Sequence, residues 1–300
     1  MICYVKMGVK NFNKVVKSNA AKSVKKISLK KLIDSNIGLD CSLITYQSYY
    51  GIVGTSGKLL RDDGEDVTAL YGLAQKLRYL ESFGCRLIMV MDGKPPAIKS
   101  ETLCARKDLN EASKNPFCLT KSLCEQIVKL CTLMGITVMR AKGEADALLG
   151  RLSKDRKIDY VLSDDADMIC FGGMKMLRKV KRGEAELFDA NLFMKEMDYD
   201  LSKVIDLCCM LGNDYNPNPK GIGPKRAVSI LSTQSIKEFM ESKGLDEEYK
   251  KMVVSKTYYE TAPSLENYRS IKSTKKNSKE LAVFLSEEVG MSESKIKKFL

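Results

Sequence analysis

The sequence predicts an α/β protein in which a mainly parallel sheet, flanked by helices, is followed by a helical C-terminal region. Short apolar runs alternate with amphipathic stretches over about the first two hundred residues, a pattern typical of parallel sheets with helices on both faces. Three of these runs end in aspartate, at Asp40, at Asp92 and at Asp164 to Asp167. Because the carboxyl ends of parallel strands share one edge of a sheet, we expect these acids to meet.

Composition narrows the classes of function. The chain has 300 residues, enough for one large domain or two small ones, and its 50 Lys and Arg against 38 Asp and Glu give a net charge of +12. That balance favours a polyanionic partner, nucleic acid ahead of an anionic membrane surface. No apolar run approaches the ~18 residues of a membrane span, and we expect neither a signal peptide nor a transit peptide.

Histidine and cysteine usage excludes several catalytic classes. The sequence contains no histidine, which excludes Ser-His-Asp and Cys-His catalysis and zinc sites that need imidazole. Its ten cysteines include no C-x-x-C pair, and several lie in apolar runs, where a free thiol packs as a small hydrophobe. This usage predicts an intracellular, reducing compartment.

The N-terminal segment of the chain carries only positively charged side chains. Residues 1–33 contain nine lysines and no acid, a run that fits a solvated face as well as contact with a polyanion. A short strand ending at Asp40 follows, then a helix that carries Tyr46 and a predicted loop over residues 51–64. An amphipathic helix over residues 67–83 leads into the second strand.

The second strand, residues 86–92, ends in Asp92 at a Gly-Lys-Pro-Pro run, because proline can continue neither a strand nor a helix. The polar segment over residues 99–119 is predicted to be either a mobile segment or short helices. Beyond it, Glu144 and Asp146 lie in the first turn of a predicted helix, where the helix dipole alone would favour acids.

The most informative stretch is a third strand followed by an acidic cluster. The apolar run Tyr160 to Leu162 leads directly into Asp164, Asp165 and Asp167. Taken alone, this is typical of an acidic surface turn. Together with the other strand-ending acids it favours a Mg²⁺ or Mn²⁺ site, because crowded carboxylates repel each other and are hard oxygen ligands for a divalent cation.

The C-terminal region is predicted to be helical. A helix capped by Ser202 precedes a loop, and the run Gly221 to Ala227 opens the next helix. Free N–H groups at such a junction can hold a phosphate of a nucleic-acid backbone. We divide the chain into an α/β region over residues 1–198 and a helical region over residues 199–300, joined in one compact core.

Seven motifs together resemble the flap endonuclease branch of the XPG-type structure-specific 5′ nucleases, a family with a PIN-like sheet. They occur in the family's order: Met7-Gly-Val, Gly38-Leu-Asp40-Cys-Ser, Asp92-Gly-Lys-Pro-Pro-Ala-Ile-Lys99, Gly143-Glu-Ala-Asp-Ala147, Asp164-Asp-Ala-Asp-Met168 with Phe171-Gly172, Leu211-Gly-Asn-Asp-Tyr215, and Gly221 to Ala227. Each motif is moderately specific, and their shared order over almost the whole chain makes chance agreement very improbable.

The resemblance implies two Mg²⁺ ions per active site, with Mn²⁺ as a substitute. It assigns the first ion to Asp40, Asp92, Glu144 and Asp146. It assigns the second to Asp165, Asp167 and Asp214, whereas Asp164 is not a usual ligand. Lys99 and Arg106 match the catalytic basic pair at the foot of a helical arch over residues 99–120.

The resemblance also implies DNA contacts. Tyr46 matches an aromatic residue that stacks on a base near the cut, although core packing would explain it too. A helix-two-turn-helix motif would grip the duplex backbone with a bound K⁺, through Gly221, Ile222, Gly223, Lys225 and Arg226. The implied activity is DNA hydrolysis in replication, repair or recombination by a flap endonuclease with 5′→3′ exonuclease activity. The alternatives are a Holliday-junction resolvase-type enzyme and a non-catalytic DNA-junction binder.

The sequence departs from the family pattern at four places. Residues precede Met7, which looks like the working start; Asp146 stands where flap endonucleases usually have Glu; the arch segment is short; and we expect no sliding-clamp-binding tail. These features fit a compact member from a large DNA virus. We expect a monomer that binds branched or flapped DNA and no membrane, in the nucleus or at a viral replication site in the cytoplasm.

Overall fold

The computed structural model describes residues 8–268 and 275–300, so the proposed start at Met7 lies outside the described residues. The strands are β1 Val24–Ser28, β2 Asn36–Asp40, β3 Arg86–Met91, β4 Thr137–Arg140, β5 Tyr160–Leu162, β6 Lys175–Lys181 and β7 Glu184–Asp189. The helices are α1 Phe12–Asn19, α2 Cys41–Ser56, α3 Thr68–Glu81, α4 Ser100–Glu111, α5 Lys121–Met134, α6 Ala145–Lys154, α7 Ala190–Met197, α8 Leu201–Leu211, α9 Pro224–Thr233, α10 Ile236–Ser242, α11 Asp246–Leu265, α12 Ser278–Glu287 and α13 Glu293–Ile296.

The strands of the described chain form one seven-stranded sheet in the order β1-β7-β6-β5-β2-β3-β4. Strands β6, β5, β2, β3 and β4 run parallel, and β7 pairs antiparallel with β6 and with β1. The predicted mainly parallel α/β fold is confirmed. Strand β1 was not predicted, because the exposed Lys25 and Lys26 interrupt the apolar alternation that identifies a strand.

The register of the parallel strands brings the acidic strand ends to one edge. Asp40 pairs with Val90 of β3, and Leu39 pairs with Leu162 of β5. Asp92 and Asp164 each follow their paired residue by two positions, so all three chain segments turn away from the sheet at nearly the same level. The predicted meeting of acids at one sheet edge is therefore built into the strand pairing.

Alternate residues of the central strands pack into two hydrophobic cores, one on each face of the sheet. Leu87 and Met89 of β3 pack with residues of α3, α5 and α12. Ile88 and Val90 pack on the opposite face with residues of α1, α6 and α8. Both faces of the sheet are covered, as expected for a parallel sheet. Helices from beyond residue 198 join each of these cores, while the boundary at residue 198 stays a prediction.

One glycine of the Gly38-Leu-Asp40 motif has a packing role. A Cβ atom at Gly38 would lie 2.5 Å from Leu149 Cδ2 and 2.7 Å from Ile158 Cδ1. Glycine at this position therefore lets α6 approach the centre of the sheet closely, which brings the start of α6, with its acids, to the carboxyl end of β2.

Two local predictions were wrong. Residues 51–64 were predicted to form a loop, but helix α2 continues through Gly51 to Ser56. The packing of α2 along α3 stabilises the helix by more than its glycines destabilise it. Helix α8 is capped by Asp200, whose carboxylate accepts from Lys203 N at 2.8 Å, and Ser202 lies inside the helix. None of the helices in the described part of the chain is long and apolar enough to cross a membrane.

Candidate active site

The acids that end β2 and β3 both serve as helix caps. Asp40 Oδ1 accepts from Leu43 N at 3.1 Å at the start of α2. Asp92 Oδ1 accepts from Ala145 N at 2.9 Å at the start of α6, and Asp92 Oδ2 accepts from Ser42 Oγ at 2.5 Å. These bonds fix both carboxylates at the sheet edge and satisfy helix-terminal donors.

The loop that carries Glu144 is fastened to the loop that follows Asp92. Gly93 N donates to Gly143 O at 2.7 Å, and Lys94 N donates to Lys142 O at 3.1 Å. A Cβ atom at Gly93 would lie 2.3 Å from Ala141 O, so this approach requires glycine. The pairing delivers Glu144 to the same edge as the strand-ending acids.

Glu144 is buried and fully engaged by neighbouring donors. Its Oε1 is ion-paired with Lys99 Nζ. Its Oε2 accepts from the hydroxyls of Tyr215 at 2.6 Å and Tyr258 at 2.8 Å. One cation and two neutral hydroxyls thus hold a carboxylate whose side chain is only 9% exposed.

Two acids that follow β5 are buried. Asp167 is 3% exposed and Asp165 is 7% exposed. Asp167 N donates to Asp165 Oδ1 at 3.3 Å, and Tyr259 OH donates to Asp167 Oδ2 at 3.2 Å. Gly8 packs directly against this pair, because a Cβ at Gly8 would lie 1.6 Å from Asp165 Oδ1. The described chain therefore begins against the acids.

Helix α4, the predicted arch, is docked on the segment that carries Asp214. Arg106 donates to Asp214 Oδ2 at 2.6 Å, and Lys99 Nζ lies 3.4 Å from the same oxygen. Thr102 Oγ1 donates to the main-chain oxygen of Asp214 at 2.7 Å. The two predicted basic residues therefore lie among the predicted acids.

The pKa values reflect the crowding of like charge. Burial, followed by the charge of Asp92, raises the pKa of Asp40 to about 7. Burial also raises the pKa of Asp165 to about 6, with a further contribution from Asp146. For Asp146 and Asp167, burial and neighbouring carboxylates raise the pKa well above its usual range.

These mutual effects connect the two acid groups. The charges of Asp40 and Asp167 both act on Asp146, and the charge of Asp214 acts on Asp165 and Asp167. Burial alone would lower the pKa of Lys99, but the carboxylates of Glu144 and Asp214 raise it. Acids and cations therefore form one electrostatically coupled site.

The donor chemistry fits a hard divalent cation. The buried oxygens Asp146 Oδ1 and Asp167 Oδ1 have no hydrogen-bond partner, and such acceptors are costly until a donor or cation satisfies them. Within residues 8–268 and 275–300, no three Asp, Glu or Cys side chains are already arranged closely enough to hold one ion. Lys99 and Arg106 instead form ion pairs with two of these acids, Glu144 and Asp214.

Tyr46 and Asp164 have contacts away from the acids. The Tyr46 ring lies 5.0 Å from that of Phe117, edge to face, in a small aromatic cluster that includes Tyr49. Asp164 accepts from Gln47 Nε2 at 3.1 Å and from Lys179 N at 2.9 Å. Asp164 therefore fastens α2 to β6, and the role of Tyr46 on DNA stays a prediction.

The helix-loop-helix comprises α8, the loop 212–223 and α9. Lys225 and Arg226 are exposed, whereas the Ile222 side chain is buried at 3% exposure. The carbonyl oxygens of Gly221 and Ile222 already accept hydrogen bonds, from Arg226 at 3.1 Å and from Asn218 at 2.9 Å. The K⁺ site at this loop stays a prediction.

The sequence reasoning missed several side chains that surround the acids. Tyr215, Tyr258 and Tyr259 pack around Phe171, with ring centroids 6.5, 6.0 and 4.9 Å from it. Tyr215 follows Asp214 in a recognised motif, which was a usable signal. Tyr258 and Tyr259 lie in α11, where no motif distinguished them from ordinary helical residues.

Comparison with known proteins agrees with this arrangement. The XPG N-terminal domain matches residues 7–113, and the XPG I-region matches residues 135–214. Flap endonuclease 1 of Danio rerio is 30% identical over 263 residues, covering 79% of this chain and 69% of the relative. Flap endonuclease 1 of Theileria annulata is 28% identical over 322 residues, covering 98% of this chain but 63% of the relative.

The fold has solved counterparts. The catalytic core of Rad2 in complex with DNA substrate superimposes with a TM-score of 0.75 at 22% identity, covering 98% of both chains. At that identity the likeness concerns the fold. Family membership follows from the sequence comparisons, because both XPG regions match and the Danio rerio relative is 30% identical. This chain belongs to the flap endonuclease branch of the XPG family.

Proposed function

We propose that this chain is a Mg²⁺-dependent, structure-specific 5′ nuclease that hydrolyses DNA at flap junctions and degrades DNA from 5′ ends. Its setting would be DNA replication, repair or recombination. The observation that carries the proposal is the convergence of the acidic loops with Lys99 and Arg106 at one sheet edge. Nine free cysteines among the described residues fit action in a reducing, intracellular setting.

In this proposal the carboxylates hold two divalent cations. One set of ligands is Asp40, Asp92, Glu144 and Asp146, and the other is Asp165, Asp167 and Asp214. The bound pair would supply an activated water and neutralise the oxygens of the phosphodiester, with Mn²⁺ able to replace Mg²⁺. The unpaired oxygens of Asp146 and Asp167 support this role for the carboxylates.

Lys99 and Arg106 would contact the scissile phosphate. Lys99 immediately precedes α4 and Arg106 lies within it, and both side chains reach acids of the site. The Lys99 side chain is 12% exposed. A cation held in such a desolvated position stabilises charge that develops on a phosphate oxygen. The chain has no histidine. The bound cations would lower the pKa of the attacking water, so that it would lose its proton without an imidazole base.

The helix-loop-helix would hold the duplex without reading bases. Gly221, Ile222 and Gly223 would contribute main-chain groups, and Lys225 and Arg226 would pair with phosphates. Tyr46 would stack on a base. Recognition would then depend on branched DNA shape, and affinity would fall steeply with salt. We propose that the active form is a monomer.

The decisive experiment compares three 5′-labelled DNA substrates: a single flap, a nicked duplex and a four-way junction, each with Mg²⁺ or with EDTA. Metal-dependent cutting near the flap base is the expected result. Paired symmetric cuts restricted to the four-way junction would instead indicate a resolvase. Binding with no cutting in Mg²⁺ or Mn²⁺ would overturn the proposal in favour of a non-catalytic junction binder.

A further inference from the structure

A polar stripe runs along the core-facing side of helix α11 and is formed by Ser255, Tyr258, Tyr259 and Glu266. Ser255 is 0% exposed, Tyr259 is 1% exposed, and Glu266, just beyond the helix end, is 4% exposed. Met252 and Ala262 of the same helix belong to the hydrophobic core that also contains residues of α6 and α8. Buried polar groups need partners, and here the partners lie in the candidate active site.

Two tyrosines of this stripe donate to two different predicted ligand groups. Tyr258 OH donates to Glu144 Oε2 at 2.8 Å. Its neighbour Tyr259 donates to Asp167 Oδ2 at 3.2 Å. Because a hydroxyl carries no charge, each bond orients a carboxylate without neutralising the negative charge that a cation requires.

The remaining two residues of the stripe contact residues that lie next to the acids. Glu266 accepts from Lys142 N at 2.8 Å and from Gly143 N at 2.9 Å, which fixes the loop that leads to Glu144. Ser255 donates to Asn213 Oδ1 at 3.2 Å. Asn213 Oδ1 also accepts from Tyr215 N at 2.8 Å, across Asp214.

We infer that α11 is a positioning element that sets the affinity of the acidic site for divalent cations. It contacts each of the three loops that bring Glu144, Asp167 and Asp214 together, and none of its own residues is in a ligand motif. Since seven carboxylates repel one another, their arrangement depends on such external bonds. The inference deepens the proposed function and rests on its assignment of the acids as cation ligands.

The test replaces Tyr258 with Phe and measures Mn²⁺ binding to the full chain by calorimetry, without DNA. Loss of one outer bond to a ligand weakens metal binding about 10-fold. Tyr249→Phe is the matched control, because Tyr249 lies on the same helix and its hydroxyl contacts none of these acids. The double variant Tyr215→Phe/Tyr258→Phe removes both hydroxyl bonds to Glu144 and is expected to bind about 100-fold more weakly.

Unfolding of the metal-free variants separates positioning from stability. A positioning role predicts weaker Mn²⁺ binding with a melting temperature close to that of Tyr249→Phe, and flap cleavage that recovers at high Mg²⁺. Wild-type Mn²⁺ affinity in both the single and the double variant would overturn the inference. If the wild-type chain binds Mn²⁺ but cleaves no DNA, the proposed function fails while the metal titration still decides the role of α11.

Discussion

The acidic site and the helix-loop-helix place charge in opposite ways. In the acidic site, carboxylates are buried beside one another, and burial raises the pKa of Asp40 to about 7. In the helix-loop-helix, Lys225 and Arg226 are exposed beside a glycine-containing loop. The first region concentrates charge at a cost in stability, and the second distributes it in solvent. Single substitutions should therefore act strongly in the first region and weakly in the second.

The largest expected effect is that of Asp167→Ala. Removing this buried carboxylate should reduce flap cleavage on the order of 10³-fold or more, because a cation loses a ligand. Binding of flap DNA in Ca²⁺ should change less than about 3-fold, since the duplex is held elsewhere. Cleavage rates and binding isotherms on the same substrate measure both. Normal turnover by this variant would show that Asp167 is not a cation ligand.

The next largest effect is expected for Lys99→Ala. Loss of a desolvated cation near the phosphate should lower single-turnover cleavage by about 10²–10³-fold. Lys107→Ala is the matched control, because Lys107 lies on α4, the helix that Lys99 precedes, and its side chain is 77% exposed. Equal rate losses in the two variants would show that α4 contributes general charge and not a positioned residue.

A third prediction concerns stability without metal. The folded chain binds a proton at Asp40 up to pH about 7, whereas the unfolded chain releases it near pH 3.8. Stability from this group is therefore complete below pH ~4 and is lost as the pH rises to ~7.

The Asn side chain of the Asp40→Asn variant cannot ionise. This variant should therefore keep the stability that the wild type loses as the pH rises. We expect it to be more stable than the wild type by up to ~4 kcal/mol at pH 8 in EDTA, because the pKa of Asp40 rises from 3.8 to about 7 and each pKa unit is worth about 1.4 kcal/mol, with no difference near pH 4. Urea unfolding at the two pH values measures this difference, and Asn keeps an oxygen for the α2 cap. A variant that is less stable at pH 8 would show that the Asp40 charge is stabilising.

The smallest effect is expected in the helix-loop-helix. Lys225→Ala should weaken binding to flap DNA about 3-fold and reduce the slope of log affinity against log salt by about 1. Lys243→Ala, at the end of α10, should change neither quantity. A loss comparable with that of an active-site variant would contradict the contrast between the two regions.

Local sequence pattern was sufficient for much of the fold and for the acids. The run Leu87 to Met91 alternates between two cores and was recognisable as a buried strand from its apolar residues. The acids that follow β2, β3 and β5 stand directly after such runs, so parallel pairing alone brings them together. Strand β1 was not predicted because its residues lack an apolar pattern. Its pairing with β7 involves charged residues, for example Lys26 with Glu186.

The sequence by itself determined the parallel part of the sheet, the edge at which the acids meet, and the absence of any imidazole. Only the tertiary structure decided which side chains hold those acids in place. Tyr258 lies 114 positions from Glu144, and Tyr259 lies 92 positions from Asp167. Contacts between residues so far apart depend on how α11 packs against the helices that flank the sheet. The periodicity of the sequence does not show which hydroxyl groups this packing brings to the acids.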